Sequence, residues 1–133
     1  MKSPNTTSQL CLCKSGKLYV SCCKPYHEGA SAPTAEALMR SRYSAYVLKL
    51  EDYLLATWHQ DTRPTALNLA EEPSIKWLGL DIVKAETKGE TAIVEFIARY
   101  KIGGGKAERL HEISQFKQVD GRWYYVAGSF IDD

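Results

Sequence analysis

The sequence has no cysteine outside residues 11–23, although it contains four cysteines in 133 residues. It also lacks an apolar run approaching the roughly 18 residues of a membrane span. Its polar N-terminus has no apolar segment typical of a secretory signal. The net charge is only +1, so no overall excess of one sign draws the chain to nucleic acid or anionic lipid. These absences predict a cytoplasmic protein with reduced thiols.

Composition limits the number of domains. Hydrophobic residues make up 44% of the chain and charged residues 25%, close to the usual values for a soluble globular protein. A chain of this length suits one domain with a small appendage and buries a core without disulfides. We expect a small N-terminal module over residues 1–30, including a polar tail, and a larger domain over residues 31–133.

The cysteine spacing indicates a metal site. Cys11 and Cys13 are separated by one residue, and Cys22 and Cys23 are adjacent. Zinc prefers four thiolate or imidazole ligands in a tetrahedron, and a loop that reverses between the two pairs would bring them together. Gly16, in Ser15-Gly16, supplies a residue that tolerates such a reversal. Two disulfides are disfavoured by the compartment, and no Cys-x-x-Cys redox motif is present.

Two features near the cysteines affect how the site is interpreted. Lys14, Lys17 and Lys24 surround it, and their charges would offset the formal charge of about −2 on a zinc ion with four thiolates. His27 follows Cys23 by four residues and is an alternative fourth ligand in place of Cys23. In either case a closed set of four protein ligands leaves no position for a substrate, which favours a structural metal.

The remaining sequence predicts two helices followed by four strands, an α+β order. Thr34 is a suitable N-cap for a helix over 35–50, and a second helix is expected over 51–58. The first helix carries a broad apolar arc, with Arg40, Ser41 and Ser44 opposite it and Arg42 inside it. Four strands with hairpin turns at 86–90, 103–105 and 120–121 are expected over 74–85, 91–102, 109–119 and 122–130.

The cysteine module resembles the SEC-C zinc motif, best known at the C-terminus of the bacterial preprotein translocase ATPase SecA. The resemblance rests on the pattern Cys-x-Cys-x-Ser-Gly-x-x-Tyr-x-x-Cys-Cys over residues 11–23. It implies that the four ligands are Cys11, Cys13, Cys22 and Cys23. Leu12 and Lys14 stand where the motif usually has proline and glycine.

The rest of the chain resembles the bacterial YchJ-like family. The matching stretches are Pro-Tyr-His27, the run from Ala-Pro-Thr-Ala-Glu to Tyr46, Tyr-Leu-Leu-Ala-Thr-Trp-His59, Leu-His-Glu112 and Asp-Gly-Arg-Trp-Tyr-Tyr125. The resemblance implies an N-terminal SEC-C motif joined to a nuclear transport factor 2-like domain, a curved antiparallel sheet wrapped by helices into a cone. It supplies a fold and zinc as a cofactor, but no reaction.

A cone of this kind often encloses a cavity, and polar groups at apolar positions are candidates to line it. These pocket candidates are Arg42, His59, His111 and Glu112. Together a histidine, an acid and an arginine could provide a general base and an anion-binding group. Alternatively, a buried Arg42 simply pairs with a carboxylate such as Glu112. Because His111 and Glu112 are strand neighbours, they point to opposite faces unless a bulge intervenes.

Three functions are therefore considered. In the first, the zinc module docks a protein partner, with Lys14, Lys17 and Lys24 meeting an acidic surface. SEC-C modules are thought to bind the acidic chaperone SecB in this way. In the second, the cone binds or transforms a small molecule around Arg42. The third, a nucleic-acid or ribosome contact through the same lysines, has little support because basic residues are few and scattered. The sequence carries no nucleophile motif, phosphate loop or catalytic metal spacing.

Overall fold

The computed structural model describes residues 9–71 and 74–131. Three helices come first, α1 (Lys24–His27), α2 (Ala35–Leu48) and α3 (Glu51–Ala56). Short 3-10 turns cover Tyr19–Ser21 and Leu69–Glu71. Four strands follow, β1 (Ile75–Lys88), β2 (Thr91–Ile102), β3 (Glu108–Val119) and β4 (Arg122–Phe130). The predicted α+β order is confirmed; the expected tail at 1–8 lies outside the described residues.

Both long helices begin where the sequence predicts, but both end earlier. The Thr34 hydroxyl accepts a hydrogen bond from the backbone N–H of Ala37 at 3.1 Å, as an N-cap does. The prediction to residue 50 overruns α2, because Lys49 adopts a left-handed conformation (φ 58°) that ends it. The prediction to residue 58 likewise overruns α3, which ends at Ala56. In the described residues, no helix is both long and apolar enough to cross a membrane.

The side of α2 opposite its apolar arc is not exposed to solvent. Ser41 and Ser44 are completely buried. Their side chains contact α3 and α1. The Ser41 hydroxyl lies 2.6 Å from the Tyr53 hydroxyl, and the Ser44 hydroxyl lies 3.3 Å from His27 Nε2. The helix is therefore covered on one side by the sheet and on the other by the N-terminal module and α3.

The four strands form one antiparallel sheet in the order β1-β2-β3-β4. The turn chemistry agrees with the predicted hairpins. Asp120 (φ 51°) and Gly121 (φ 80°) both lie in the left-handed region, as a tight two-residue turn requires. The first hairpin is tighter than the predicted turn at 86–90, since β1 runs on to Lys88 and the chain reverses at Gly89.

Irregularities in strand pairing bend the sheet. The register shifts between Trp77 and Gly79 and again between Ile82 and Lys84, and the β3–β4 pairing shifts next to Phe116. Such bulges bend a strand and increase its twist. The inner face then packs against α2, and the core includes Leu38, Tyr43, Val94, Phe96, Phe116 and Trp123.

Candidate metal centre and central cavity

A tight loop brings the first two cysteines into place. The Cys11 backbone N–H donates to the Lys17 carbonyl at 2.8 Å, and the Lys14 N–H donates to the Cys11 carbonyl at 3.2 Å. The reversal uses Gly16 (φ 88°), as predicted, and also Lys14 (φ 66°). Lys14 occupies the position where the SEC-C motif usually has glycine. A non-glycine residue in this left-handed conformation costs about 1–2 kcal/mol.

The second pair of cysteines follows the turn Tyr19–Ser21. The Cys22 N–H donates to the Tyr19 carbonyl at 3.0 Å, and Cys23 is the residue that precedes α1. This short helical segment places two adjacent side chains beside the first pair. Cys11, Cys13 and Cys23 are almost fully buried, whereas Cys22 is half-buried.

The four thiols have the separation that a tetrahedral metal site needs. All four Sγ atoms lie within 4.8 Å of one another. The Cys13 and Cys22 sulfurs are 3.6 Å apart, and those of Cys22 and Cys23 are 4.0 Å apart. A zinc–sulfur bond of about 2.3 Å in a regular tetrahedron puts the sulfurs about 3.8 Å apart. The donor set and its spacing therefore fit zinc.

The close packing of thiols also changes their acidity. The neighbouring thiols, first that of Cys11 and then that of Cys23, hold the pKa of Cys13 far below its usual range. The pKa values of the two neighbouring thiols are raised instead. The interaction with Cys13 raises the pKa of Cys11 to about 11, and the interaction with Cys11 raises the pKa of Cys23. Because thiolates are the form that binds a metal, metal binding by these cysteines would release protons.

Both ring nitrogens of His27 have partners other than the thiols. Its Nε2 lies 2.9 Å from the Ser41 carbonyl, and its Nδ1 lies 2.8 Å from the Tyr19 hydroxyl. A carbonyl can only accept, so Nε2 carries the proton and Nδ1 accepts from the tyrosine. Burial lowers the pKa of His27, which agrees with this neutral ring. The imidazole also packs edge-on against the Tyr53 ring. His27 thus connects the module to α2 and α3.

Two arginines add further links between the module and the domain. Arg40 Nη1 donates to the Cys13 carbonyl at 2.9 Å, and Arg122 Nη2 donates to the Gly29 carbonyl at 3.2 Å. Periodicity gave no signal for either contact, or for the role of His27, because each depends on how the module packs on α2. The cysteine cluster is thus attached directly to α2, the helix that packs against the sheet.

The lysines around the cysteines point away from the core. Lys14 and Lys17 are exposed, and Lys24 is half-buried. Two apolar side chains of the same N-terminal segment are also exposed: Leu10 is 62% exposed and Leu18 38% exposed, and the two residues form an antiparallel bridge. This face, formed by Leu10, Lys14, Lys17, Leu18 and Lys24, is called the lysine face below.

A cavity of about 280 Å³ lies between α2 and the inner face of the sheet and is called the central cavity here. Of the four predicted pocket residues, Arg42 and Glu112 line it. Arg42 is only 3% exposed; its Nη1 donates to the Leu54 carbonyl at 2.8 Å and to the Thr57 hydroxyl at 2.7 Å. Its guanidinium also lies 5.2 Å from the Trp58 ring centre and 4.5 Å from that of Tyr125.

Glu112, on β3, is held in place on the sheet side of the cavity. It is 8% exposed, and its Oε2 accepts a hydrogen bond from the Ser114 hydroxyl at 2.6 Å. Gly128, opposite Ser114 in the β3–β4 pairing, leaves the space that this carboxylate fills, since a Cβ there would collide with it. Burial and then the negative charge of Glu112 raise the pKa of Tyr125 to about 12. The expected ion pair between Arg42 and Glu112 is not formed in the described residues.

The two histidines do not join this cavity. His111 points to the other face of β3, as the strand alternation predicts, and its Nε2 lies 2.7 Å from Glu95 Oε2. His59 lies beyond α3, where its Nδ1 accepts from the Asp61 N–H at 3.1 Å and its ring packs against Tyr124. The prediction of a site that combines a histidine with Arg42 and Glu112 is therefore wrong. Sequence reasoning missed Ser114 and Gly128, whose roles depend on strand register.

Comparisons with known proteins agree with this architecture. The family described as "YchJ, middle NTF2-like domain" matches residues 34–128. A UPF0225 protein of Chromobacterium violaceum is 54% identical over 96% of this chain and 98% of its own. A UPF0225 protein of Xanthomonas campestris is 52% identical over 93% of this chain and 97% of its own.

A solved structure is similar over nearly the same extent. The solution structure of a SEC-C motif containing protein from Rhodopseudomonas palustris has a TM-score of 0.83 and 42% sequence identity, covering 92% of this chain and 98% of that one. The predicted nuclear transport factor 2-like fold is thereby confirmed, with an N-terminal cysteine cluster that fits a zinc module. On the family match and these relatives, the chain belongs to the YchJ-like family of UPF0225 proteins.

Proposed function

We propose that this protein binds one zinc ion through Cys11, Cys13, Cys22 and Cys23, and that the zinc-held module docks onto an acidic surface of a protein partner. The observation that carries the proposal is the mutual approach of four thiols within 4.8 Å. Four protein ligands close the coordination sphere, so the metal has a structural role rather than a catalytic one.

The module needs the metal because its own core is small. Residues 1–30, the proposed module, offer few apolar side chains, and a segment of this size rarely buries enough surface to fold alone. Metal binding would supply the missing free energy. The contacts of His27 and Arg40 with α2 then fix the module against the domain proposed over 31–133.

The lysine face supports the docking role. Its lysines provide positive charge, and Leu10 and Leu18 provide exposed apolar area. An apolar patch with charged residues around it is typical of protein-binding surfaces. The related structure carries the name SEC-C motif, and the resemblance to the SecA motif makes the acidic chaperone SecB the first partner to test.

Reversing the charge of the lysine face is expected to weaken SecB binding without removing zinc. The triple variant Lys14→Glu, Lys17→Glu, Lys24→Glu should bind purified SecB about tenfold more weakly in isothermal titration calorimetry, because like charges would face the acidic surface. Wild-type binding should also weaken as salt screens these exposed charges.

A matched control changes three exposed lysines elsewhere, with Lys76→Glu, Lys88→Glu and Lys106→Glu. It alters the net charge by the same amount, so it should bind like the wild type if the lysine face is the docking site. Equal weakening in both triple variants would reject a local site, and no binding of SecB by the wild type would reject this partner.

A second candidate function is small-molecule binding in the cone. The observation that favours it is the central cavity, with two buried charged side chains on its walls and an otherwise apolar lining. Ligand sites commonly combine apolar walls with a few fixed polar groups in this way.

A further inference from the structure

We propose that the central cavity binds a small, uncharged, mainly apolar molecule that accepts a hydrogen bond from Arg42 and donates one to Glu112. An amide or lactam edge has this chemistry. The inference rests on the second candidate function, for which it names the ligand class, and it does not depend on the zinc-held docking of a partner.

The shape and lining of the cavity set the apolar character of the ligand. The volume of about 280 Å³ is at the small end for ligand sites. Most of its walls are aromatic or aliphatic, among them Met39, Tyr43, Trp77, Phe96, Ala98 and Leu110. A flat ring of six to ten atoms suits both the volume and the aromatic walls.

Arg42 has hydrogen-bonding capacity that the protein does not use. A guanidinium carries five N–H donors. Over the ranges 9–71 and 74–131, every side-chain hydrogen bond of Arg42 runs through Nη1, to Leu54 and Thr57. In the described residues, every side-chain nitrogen or oxygen that is fully buried has a hydrogen-bond partner. The remaining donors of Arg42 are thus reachable, and the residue lines the cavity.

Glu112 offers the complementary group. Ser114 donates to one carboxylate oxygen, Oε2, and the Tyr125 side chain lies close to the same carboxylate. An ionised carboxylate has about four acceptor positions, so further hydrogen bonds are open to a ligand. The space left by Gly128 fits the carboxylate where it lies, which indicates a fixed position on the β3–β4 side.

The two charges together determine the charge of the ligand. Arg42 and Glu112 both line the cavity and attract each other, but they form no ion pair within the described chain. One charge of each sign leaves the cavity with no net charge from this pair. An anion drawn to Arg42 would be repelled by Glu112, and a cation drawn to Glu112 would be repelled by Arg42. A neutral group with an acceptor and a donor satisfies both.

Three probes with the same ring test this charge preference: benzamide (neutral), benzoate (anionic) and benzylammonium (cationic). We expect saturable shifts of amide signals around Ala98 and Leu110 on titrating benzamide into the zinc-loaded full chain, with a dissociation constant of about 1 mM. The two charged probes should bind about tenfold more weakly. The inference is overturned if a charged probe binds as tightly as benzamide, or if benzamide gives no saturable shift up to about 20 mM.

Variants locate the site. Ala98→Ile should fill the cavity and abolish benzamide binding, while Ile97→Leu, on the opposite face of β2, should leave it unchanged. Glu112→Gln keeps the shape but removes the charge and should weaken benzamide about fivefold. If Ala98→Ile does not fold, Leu110→Phe at a half-buried position replaces it. Undiminished binding in the filled variant or in Glu112→Gln overturns the assignment.

A final arm separates this inference from the others. The variant with Lys14, Lys17 and Lys24 changed to glutamate should bind benzamide like the wild type, since its changes lie on the module. If the wild type binds SecB but not benzamide, the docking proposal stands and the cavity ligand is rejected. If the wild type instead binds benzoate or benzylammonium in the cavity, small-molecule binding stands but the uncharged ligand class is rejected.

Discussion

Replacing Cys13 with serine is expected to remove the metal and unfold the N-terminal module. Cys13 is completely buried, and its sulfur lies 3.6 Å from that of Cys22. A structural zinc site contributes about 10–16 kcal/mol of apparent binding free energy in zinc-finger peptides, and most of it depends on a complete ligand set. Elemental analysis should give about one zinc per wild-type chain and far less for Cys13→Ser.

His27→Gln is the control that separates the two possible ligand sets. The side chain of His27 contacts Tyr19 and Ser41 rather than the thiols, so this variant should keep its zinc while losing module–helix contacts. Cys23→Ser should lose zinc. The opposite pattern, with zinc retained in Cys23→Ser and lost in His27→Gln, would show that the fourth ligand is the histidine.

Replacing Arg42 with methionine is expected to cost roughly 2–6 kcal/mol of the free energy of unfolding, because two buried acceptors lose their donor. Methionine has a similar length but no donors. The variant would leave the Leu54 carbonyl and the Thr57 hydroxyl without the Nη1 donor, and it would leave Glu112 as a buried charge without a nearby cation. The rings of Trp58 and Tyr125 would also lose the cation that lies over them.

The measurement is urea unfolding of the zinc-loaded proteins, followed by tryptophan fluorescence. Arg99→Met is a matched control, because Arg99 forms an ion pair with Asp81 on the surface, where both side chains are about half exposed. Surface pairs of this kind contribute about 0–1 kcal/mol. Similar small losses for both arginines would mean that the buried contacts of Arg42 contribute little.

Local chemistry explains which parts of the fold could be predicted from the sequence. Asp120-Gly121 and Gly89 specify turns through their backbone conformation, so the hairpins and strands were predicted within a few residues. The cysteine spacing likewise predicted a cluster, because zinc chemistry needs four ligands whatever surrounds them. These signals need no knowledge of distant contacts.

The errors come from contacts between distant segments. Helical periodicity places Ser41 and Ser44 opposite the apolar arc of α2, but it does not predict that His27 and α3 cover them. The sequence groups His59 and His111 with Arg42 as polar residues at apolar positions. Their actual places depend on the bridge between Trp58 and Tyr125 and on the direction of β3. Strand register also determines that Gly128 meets Glu112.

Zinc X-ray absorption spectroscopy on the intact, reduced protein tests the central claim most directly. The account predicts a first shell of four sulfur atoms at about 2.3 Å and no nitrogen. A shell of three sulfurs and one nitrogen at about 2.0–2.1 Å would contradict the four-cysteine site, as would a reduced, metal-supplied protein that holds no stoichiometric zinc.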